Sequence, residues 1–504
     1  KADRAYAITY SLKDKVQGIT IDSSSGKVSF TSAVKNNTPF TVVASTHDIT
    51  KSEKTFYTLT ENFVTVESAR QVVELGGTID ATFKVDFSAC EDASENGILA
   101  LTNSRNEQID SENYTYDKVT KVLKIKSAYL NTLFAGENIF KLVTSRNAVT
   151  VNVDIATKFI YTADEIDAIN DSVDALSGYY VLMNDIDMES YLAEGGAGYN
   201  EGKGWTAIGQ YEDVVDANIA TKMAFKGTFD GNGHVIRELK SKGNYASLFG
   251  VLCGVCKDLG IVDADIVAEN GGGILAGYIG SKIPTSAEFT GSVENCYTTG
   301  KVSGADAIGG ISGNIGKPSG ATYSSIKNCY STASVTAKNE TGNSRAGGIV
   351  GIVWAGGILE NCYATGDIIS MNAGAAGIGA YFDTAPKGCV ALNKLVENKK
   401  NGVNLGRIAA FMGAANMNVE NCWAIEGMEI LSAGVPKTDF SSGIVGVQKP
   451  HDGETKSKEF LSNMQNYLDA GWGNSWYYKV NAKGYPILLW QYNREDYNTD
   501  ITGH

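Results

Sequence analysis

Proline is scarce, with 7 residues in 504, and histidine scarcer still, with 4. An average chain carries about 5% proline, so collagen-like and proline-rich disordered architectures are excluded. None of the histidines (His47, His234, His451, His504) sits in a His-Glu-x-x-His pair, so the zinc-hydrolase helix is missing. Gly-x-Ser-x-Gly and the Walker lysine loop are missing too, which removes the serine-hydrolase elbow and the phosphate-cradling loop. No apolar run approaches 18 residues, so the chain offers no membrane-spanning helix. Clustered basic side chains are also lacking. The net charge is −14, short runs such as Lys399-Lys400 are ordinary solvated loop charges, and nucleic-acid binding is therefore not expected.

Glycine is what abounds, with 56 residues. Six lie in residues 1–157 and fifty in 158–504, so the architecture changes near residue 158. Charge follows the same division, −2 before it (17 basic, 19 acidic) and −12 after it (26 basic, 38 acidic). With 43% hydrophobic and 10% aromatic residues there is ample material for a core. The first residue is Lys1 rather than Met, which suggests a leader that was removed or is not included in this sequence, and with it an expected exported protein.

The glycine-rich part repeats. Ser292-Val-Glu-Asn-Cys-Tyr297 returns as Ser325-Ile-Lys-Asn-Cys-Tyr330, Ile358-Leu-Glu-Asn-Cys-Tyr363 and Asn418-Val-Glu-Asn-Cys-Trp423, with Lys387-Gly-Cys-Val390 as a degenerate copy. The cysteines are 33, 33, 27 and 33 residues apart. Between them recur Gly272-Gly273-Ile274, Gly309-Gly310-Ile311, Gly347-Gly348-Ile349, Ala376-Gly377-Ile378 and Leu405-Gly406-Arg-Ile408. A period of about 30–40 residues means a solenoid or propeller. Short Val- and Ile-rich runs between Gly, Asn, Ser and Thr are strands and turns, which rejects helical repeats. The variable period fits coils of a β-helix, stacked at about 4.8 Å per rung, better than propeller blades.

Stacking assigns roles. Asn295, Asn328, Asn361 and Asn421 read as a turn ladder, since Asn tolerates the left-handed conformation and can hydrogen-bond the next coil. The turn resets the in/out alternation, so Cys296, Cys329, Cys362, Cys389 and Cys422 point inward as small buried hydrophobes with free thiols. Tyr297, Tyr330, Tyr363 and Trp423 then point outward. As an exposed ring ladder, together with Trp354 in a loop, they are the candidate ligand-binding residues, with covering the strand surface or packing beneath long loops as the plainer role. The Cys253-x-x-Cys256 pair lacks further ligands for zinc.

Phe225-Lys-Gly-Thr-Phe-Asp-Gly-Asn-Gly-His-Val-Ile236, Leu248-Phe-Gly250 and the Gly-Gly-Ile-x-Gly segments resemble the Glug-motif repeats of bacterial surface proteins. Gly178–Asp187 and Trp205-Thr-Ala-Ile-Gly209 are similar to the opening of such regions, and Gly484-Tyr-Pro-Ile-Leu-Leu-Trp490 to their close. The resemblance spans about residues 159–492. It implies a right-handed parallel β-helix in an exported protein of Bacteroides-type organisms, often labelled as cell-adhesion proteins. Glug repeats also occur in immunoglobulin A peptidases, whose zinc motif this chain lacks.

Open coil ends need covers. Thr162-Ala-Asp-Glu165 is a capping box followed by Ile166, Ile169 and Val173 on one face, which predicts an amino-terminal lid helix. Phe460, Leu461, Met464, Leu468, Trp472, Trp476 and Trp490 are expected to cap the other end. Residues 1–157 alternate with period two, and Gly18-Ile-Thr-Ile-Asp-Ser-Ser-Ser-Gly-Lys-Val28 resembles immunoglobulin-like or cadherin-like modules. Asp185, Asp187 and Asp230 are the carboxylates to weigh for catalysis, with corner hydrogen bonding as the plainer role.

The expected architecture is all-β: one β-sandwich module over 1–62, a second over 63–157, and a capped right-handed parallel β-helix over 158–504. The expected function is non-enzymatic. The chain is read as an exported cell-surface protein, secreted or held at the outer membrane as a lipoprotein, monomeric, without cofactor or metal. Its expected partner is an extracellular glycan or a host or bacterial surface protein. A polysaccharide lyase or glycoside hydrolase on the same scaffold, and a structural spacer, are the alternatives.

Overall fold

The computed structural model describes residues 9–30, 39–45, 51–57, 64–87, 97–144, 147–209, 223–280, 290–316, 323–400, 404–414, 417–437, 452–481 and 483–494. His47, Cys90, His451 and His504 lie outside the described residues. The chain divides into two compact units, residues 1–133 with 137–154, and residues 134–136 with 155–504.

The first unit is antiparallel. Thr9–Leu12, Pro39–Ser45 and Lys51–Tyr57 form one sheet, and Ile19–Ile21 pairs with Val28–Phe30 in a hairpin. Its turn is set by Asp22, whose carboxylate accepts from the amides of Ser24 and Ser25, and by Gly26 at φ +72°. Further on, two four-stranded sheets follow. One orders Tyr114–Asp117, Val122–Ile125, Ala81–Asp86 and Thr65–Val66; the other Arg70–Glu74, Ala148–Ala156, Gly136–Thr144 and Ile98–Asn103. Strict alternation along Ala81–Asp86 buries Ala81, Phe83 and Val85 and leaves the intervening residues in solvent.

In the second unit every long-range ladder of the repeats is parallel, because like segments of successive repeats pair in register. One coil runs through four faces. Ser292–Glu294, Ser324–Lys327 and Gly357–Glu360 exemplify the first face, and Tyr297–Gly304, Tyr330–Ser331 with Ser334–Ala337, and Tyr363–Ala364 with Ile368–Ser370 the second. Ile308–Gly309, Arg345–Gly347 and Gly374–Ala376 belong to the third, and Ser312–Ile315, Val350–Val353 and Gly379–Phe382 to the fourth. The corner between the first two faces is taken by Asn295, Asn328, Asn361 and Asn421 at φ between 50° and 54°, with Asp258 (51°) and Gly388 (62°) at the equivalent places. The side chains bridge rungs: Asn295 donates to Asp258 at 3.1 Å and Asn361 to Asn328 at 3.4 Å.

The interior is a continuous apolar column. Cys296, Cys329, Cys362, Cys389 and Cys422 stack there at 0–4% exposure, with Leu259 below them, and Ile274, Ile311, Ile349, Ile378 and Ile408 stack on the opposite side. The seven described cysteines are all free thiols. Burial pushes Cys296, Cys329 and Cys362 well above the ordinary thiol range, so they are inert. Thr162 and Glu165 form the capping box, and Ala163, Ile166 and Ile169 enter the column at its amino-terminal end. Val173 stays 47% exposed, because the α-helix stops at Asp167 and a 3-10 turn replaces it.

A charge ladder runs up the first face. Asp230, Lys257, Glu294, Lys327, Glu360, Lys387 and Glu420 occupy one register position in seven successive rungs, with strictly alternating sign. Lys257–Asp230 (3.3 Å), Lys327–Glu360 (3.0 Å) and Lys387–Glu420 (3.1 Å) are ion pairs. Single exposed pairs contribute little, yet a slip of one coil would set like charges opposite each other along the whole face. Lys327→Glu is expected to cost about 1 kcal/mol in urea unfolding, less at high salt. Adding Glu360→Lys should fail to restore it, since Glu294 and Lys387 then face like charges; full restoration would mean that the interaction is a pair and not a ladder.

The carboxy-terminal segment does not cap the end of the stack, contrary to expectation. From Lys458–Leu461 and Met464–Asp469 it turns back along the second face as a strap, through Trp472, Trp476 and Trp490. Trp490 Nε1 donates to the Asn295 carbonyl, and Arg494 reaches Asp185 (2.8 Å) and the Gly233 carbonyl (2.9 Å) near the other end. The strap buries the outward row of aromatic rings on this face.

Candidate ligand-binding site

Tyr297, Tyr330 and Tyr363 leave the strands outward, as the alternation requires, but each is 0% exposed, and Trp423 is 7%. They are therefore not an open binding face. The rings stack on one another at 5.0 Å and 4.7 Å, within 8° of parallel, which uses up their faces. Trp472, Trp476, Tyr467 and Leu488 of the strap close the remaining side. The Tyr330 hydroxyl accepts from Gln491 Nε2 and the Tyr363 hydroxyl donates to the Pro486 carbonyl, so even their polar ends are committed internally.

Trp354 is half-buried on the fourth face, with Nε1 donating to Asn314 Oδ1 at 3.2 Å. It packs against a second outward row: Val251, Tyr278, Asn314, Ile352, Tyr381 and Phe411 share one register position in successive rungs. The row is buried at its start and opens towards its end, where Phe411 is 37% exposed. Tyr381 stacks on Phe411 at 5.2 Å and meets Trp354 at 5.7 Å. The Tyr381 hydroxyl donates to Asp383 at 2.8 Å; burial and that carboxylate push its pKa up to about 12, so it remains neutral.

Beside these rings lies a pocket of about 240 Å³, lined by Asn343, Arg345, Gly374, Tyr381, Asn404 and Phe411 among others. Its floor follows from register. Arg345, Gly374 and Asn404 are stacked partners on the third face, and the missing side chain at Gly374 leaves a notch between the other two. Arg345 is fixed by Asp306, which accepts from its backbone amide (2.9 Å) and Nε (3.0 Å), with Nη2 on the other carboxylate oxygen. The notch thus combines an aromatic wall, two amides and a charge-compensated guanidinium. Sequence reasoning singled out only Trp354 of this neighbourhood. The 29- and 30-residue spacings of the late isoleucines aligned the rungs, but the aromatic at one outward position was read only beside the cysteines.

The acidic candidates are committed elsewhere. Asp230 is fully buried, holds Lys257 and accepts from the Asn232 amide. Asp187 accepts from the Glu189 amide. Burial alone would raise the Asp185 carboxyl, but hydrogen bonds from His234, Arg494 and the Val235 amide hold it well below the carboxylate range. A wider groove of about 440 Å³ contains Glu238, Asp263 and Asp265, with Glu238 paired to Lys240 (3.2 Å) and Asp265 to Lys301 (3.1 Å). Among the described residues no cluster of three or more His, Cys, Asp or Glu could hold a metal ion.

Comparison with known proteins places this geometry. The GLUG motif matches residues 342–369, the rung that carries Asn343, Arg345, Trp354 and the Asn361-Cys362-Tyr363 corner. The chain therefore contains a GLUG motif. It is 31% identical to a "putative immunoglobulin A1 protease" from Bacteroides ovatus of known crystal structure, over 66% of this chain and 92% of that one, with a TM-score of 0.54. At that identity and coverage the two belong to one family. Halomucin of Haloquadratum walsbyi is 32% identical over 156 residues, which are 30% of this chain and 2% of halomucin. The chain therefore spans a small fraction of that curated relative. Both the motif and the halomucin likeness fit a surface or secreted protein. No described helix is long and apolar enough to cross a membrane.

Proposed function

We propose that this GLUG-motif chain is a non-enzymatic binding protein of the bacterial surface. Its coil stack is read as a right-handed parallel β-helix carried behind immunoglobulin-like β-sandwich modules, and it presents a glycan-binding face. The notch beside Tyr381 and Phe411 carries this reading, because solvent-open rings flanked by fixed polar groups give contact area at little entropic cost. The ion pairs of Asp185, Asp230, Glu238 and Asp265 support binding over catalysis, since a glycosidase needs two carboxyl groups poised about 5–9.5 Å apart across a bond. Peptide cleavage stays with the name of the Bacteroides ovatus protein; this sequence has no His-Glu-x-x-His pair.

A glycan and host-protein array probed with the full chain tests the proposal. Binding to a restricted set of glycans, lost in Phe411→Ala, is expected. Release of cleaved or unsaturated sugar products from a bound polysaccharide would make the chain an enzyme. Silence across the array would leave it a spacer.

A further inference from the structure

We infer that the notch takes a single neutral pyranose, the end group of a glycan, and not an internal stretch of chain or an anionic sugar. This rests on the binding reading above and narrows it. Size is the first argument. At about 240 Å³ the notch is smaller than the roughly 300–1,000 Å³ clefts that enclose drug-sized ligands, so one ring fills it. Its long dimension is set by the stack, because Arg345 and Asn404 stand two rungs apart, about 9.6 Å.

Charge is the second argument. Arg345 would ordinarily recruit a carboxylate or phosphate, but Asp306 already occupies it through two side-chain hydrogen bonds. The site offers directional N–H groups with little net attraction for an anion. Asn343 and Asn404 each bring one acceptor and two donors, which suits neighbouring hydroxyls that both donate and accept. The open side of Phe411, with the edge of the Tyr381 ring stacked on it, supplies apolar contact for the C–H surface of the sugar.

Saturation-transfer NMR on the full chain, with glucose, galactose, mannose and N-acetylglucosamine against glucuronate and sialic acid, tests the inference. At least one neutral sugar should bind. Its affinity should fall at least about tenfold in Gly374→Val and in Asn404→Ala, equivalent to about 1.4 kcal/mol. Gly374→Val is the informative variant. A Cβ at that position meets nothing closer than 3.4 Å, so the backbone accommodates a branched side chain's first carbon, and an unchanged melting temperature is required to show that the γ-methyls occupy the notch and leave the stack intact. Preference for the anionic sugars, or affinity unchanged in both variants, overturns the inference. If the array shows glycan binding that both variants retain, the surface-binding reading stands and the notch assignment falls. If the array is silent, the reading itself falls.

Discussion

Trp472→Ala is expected to destabilise the coil-stack unit by about 3–5 kcal/mol, the cost of emptying a fully buried large aromatic site. Trp472 is 1% exposed and lies 4.7 Å from both Tyr467 and Trp476, with Tyr363 stacked at 6.5 Å. It joins the strap to the last ring of the tyrosine row, so its removal opens both. Urea unfolding measures the loss. Limited proteolysis shows its form, with cleavage expected first within residues 457–494 as the strap opens locally ahead of the coils. A cost under about 1 kcal/mol would mean that the strap is not docked as described. The far end of the strap adds a pH dependence. Asp185 is held below the ordinary carboxylate range in the folded chain, so its tie to Arg494 contributes fully above about pH 4 and is lost as the pH falls through the lower folded value.

The strap also marks where legibility in the sequence ends. Corner asparagines, inward cysteines and the capping box are local features, each fixed by backbone conformation within a few residues, and all were readable from spacing. Outward direction of Tyr297, Tyr330 and Tyr363 was readable on the same grounds. Their exposure was not, because it depends on a segment about 120 to 195 residues further along. Helical spacing from Phe460 to Leu468 announced an amphipathic piece of chain without saying which surface it would cover. The row of cross-strand rings carries its own warning. Identical aromatics at one register stack face to face, so a strict ladder consumes the faces a sugar would need, and only the end of such a row is open. Phe411 is that end. The alternating ladder of charges was visible as Glu-Asn-Cys, Lys-Asn-Cys, Glu-Asn-Cys, yet alternation gains meaning only once the repeats are stacked in register.

Gly348→Ala is expected to cost about 1–3 kcal/mol or more, although it adds one methyl group. A Cβ on Gly348 would stand 2.0 Å from the Gly377 carbonyl oxygen in the next rung and 2.6 Å from Ala364 Cβ across the column. Both neighbours are fixed: the carbonyl is backbone, and Ala364 lies in the in-register pair Ser331 and Ala364. Gly310 repeats the arrangement one rung earlier, where a Cβ would meet the Gly348 carbonyl at 2.3 Å and Ser331 Oγ at 2.2 Å. Thr298 Oγ1 donates across the same gap to the Gly310 carbonyl at 2.9 Å. The column is therefore pinched here to the width of two backbones and a small side chain, and no rotamer of a larger residue relieves the contact. Gly374→Ala, in a third-face strand one rung on from this corner, is the control. Its Cβ would sit at ordinary distances of 3.4–3.7 Å, and its melting temperature should stay close to that of the parent. Equal effects of the two substitutions would mean that glycine is kept on this face for chain flexibility. A large loss at Gly348 alone ties the glycine excess to the closeness of the coils, one rung at a time.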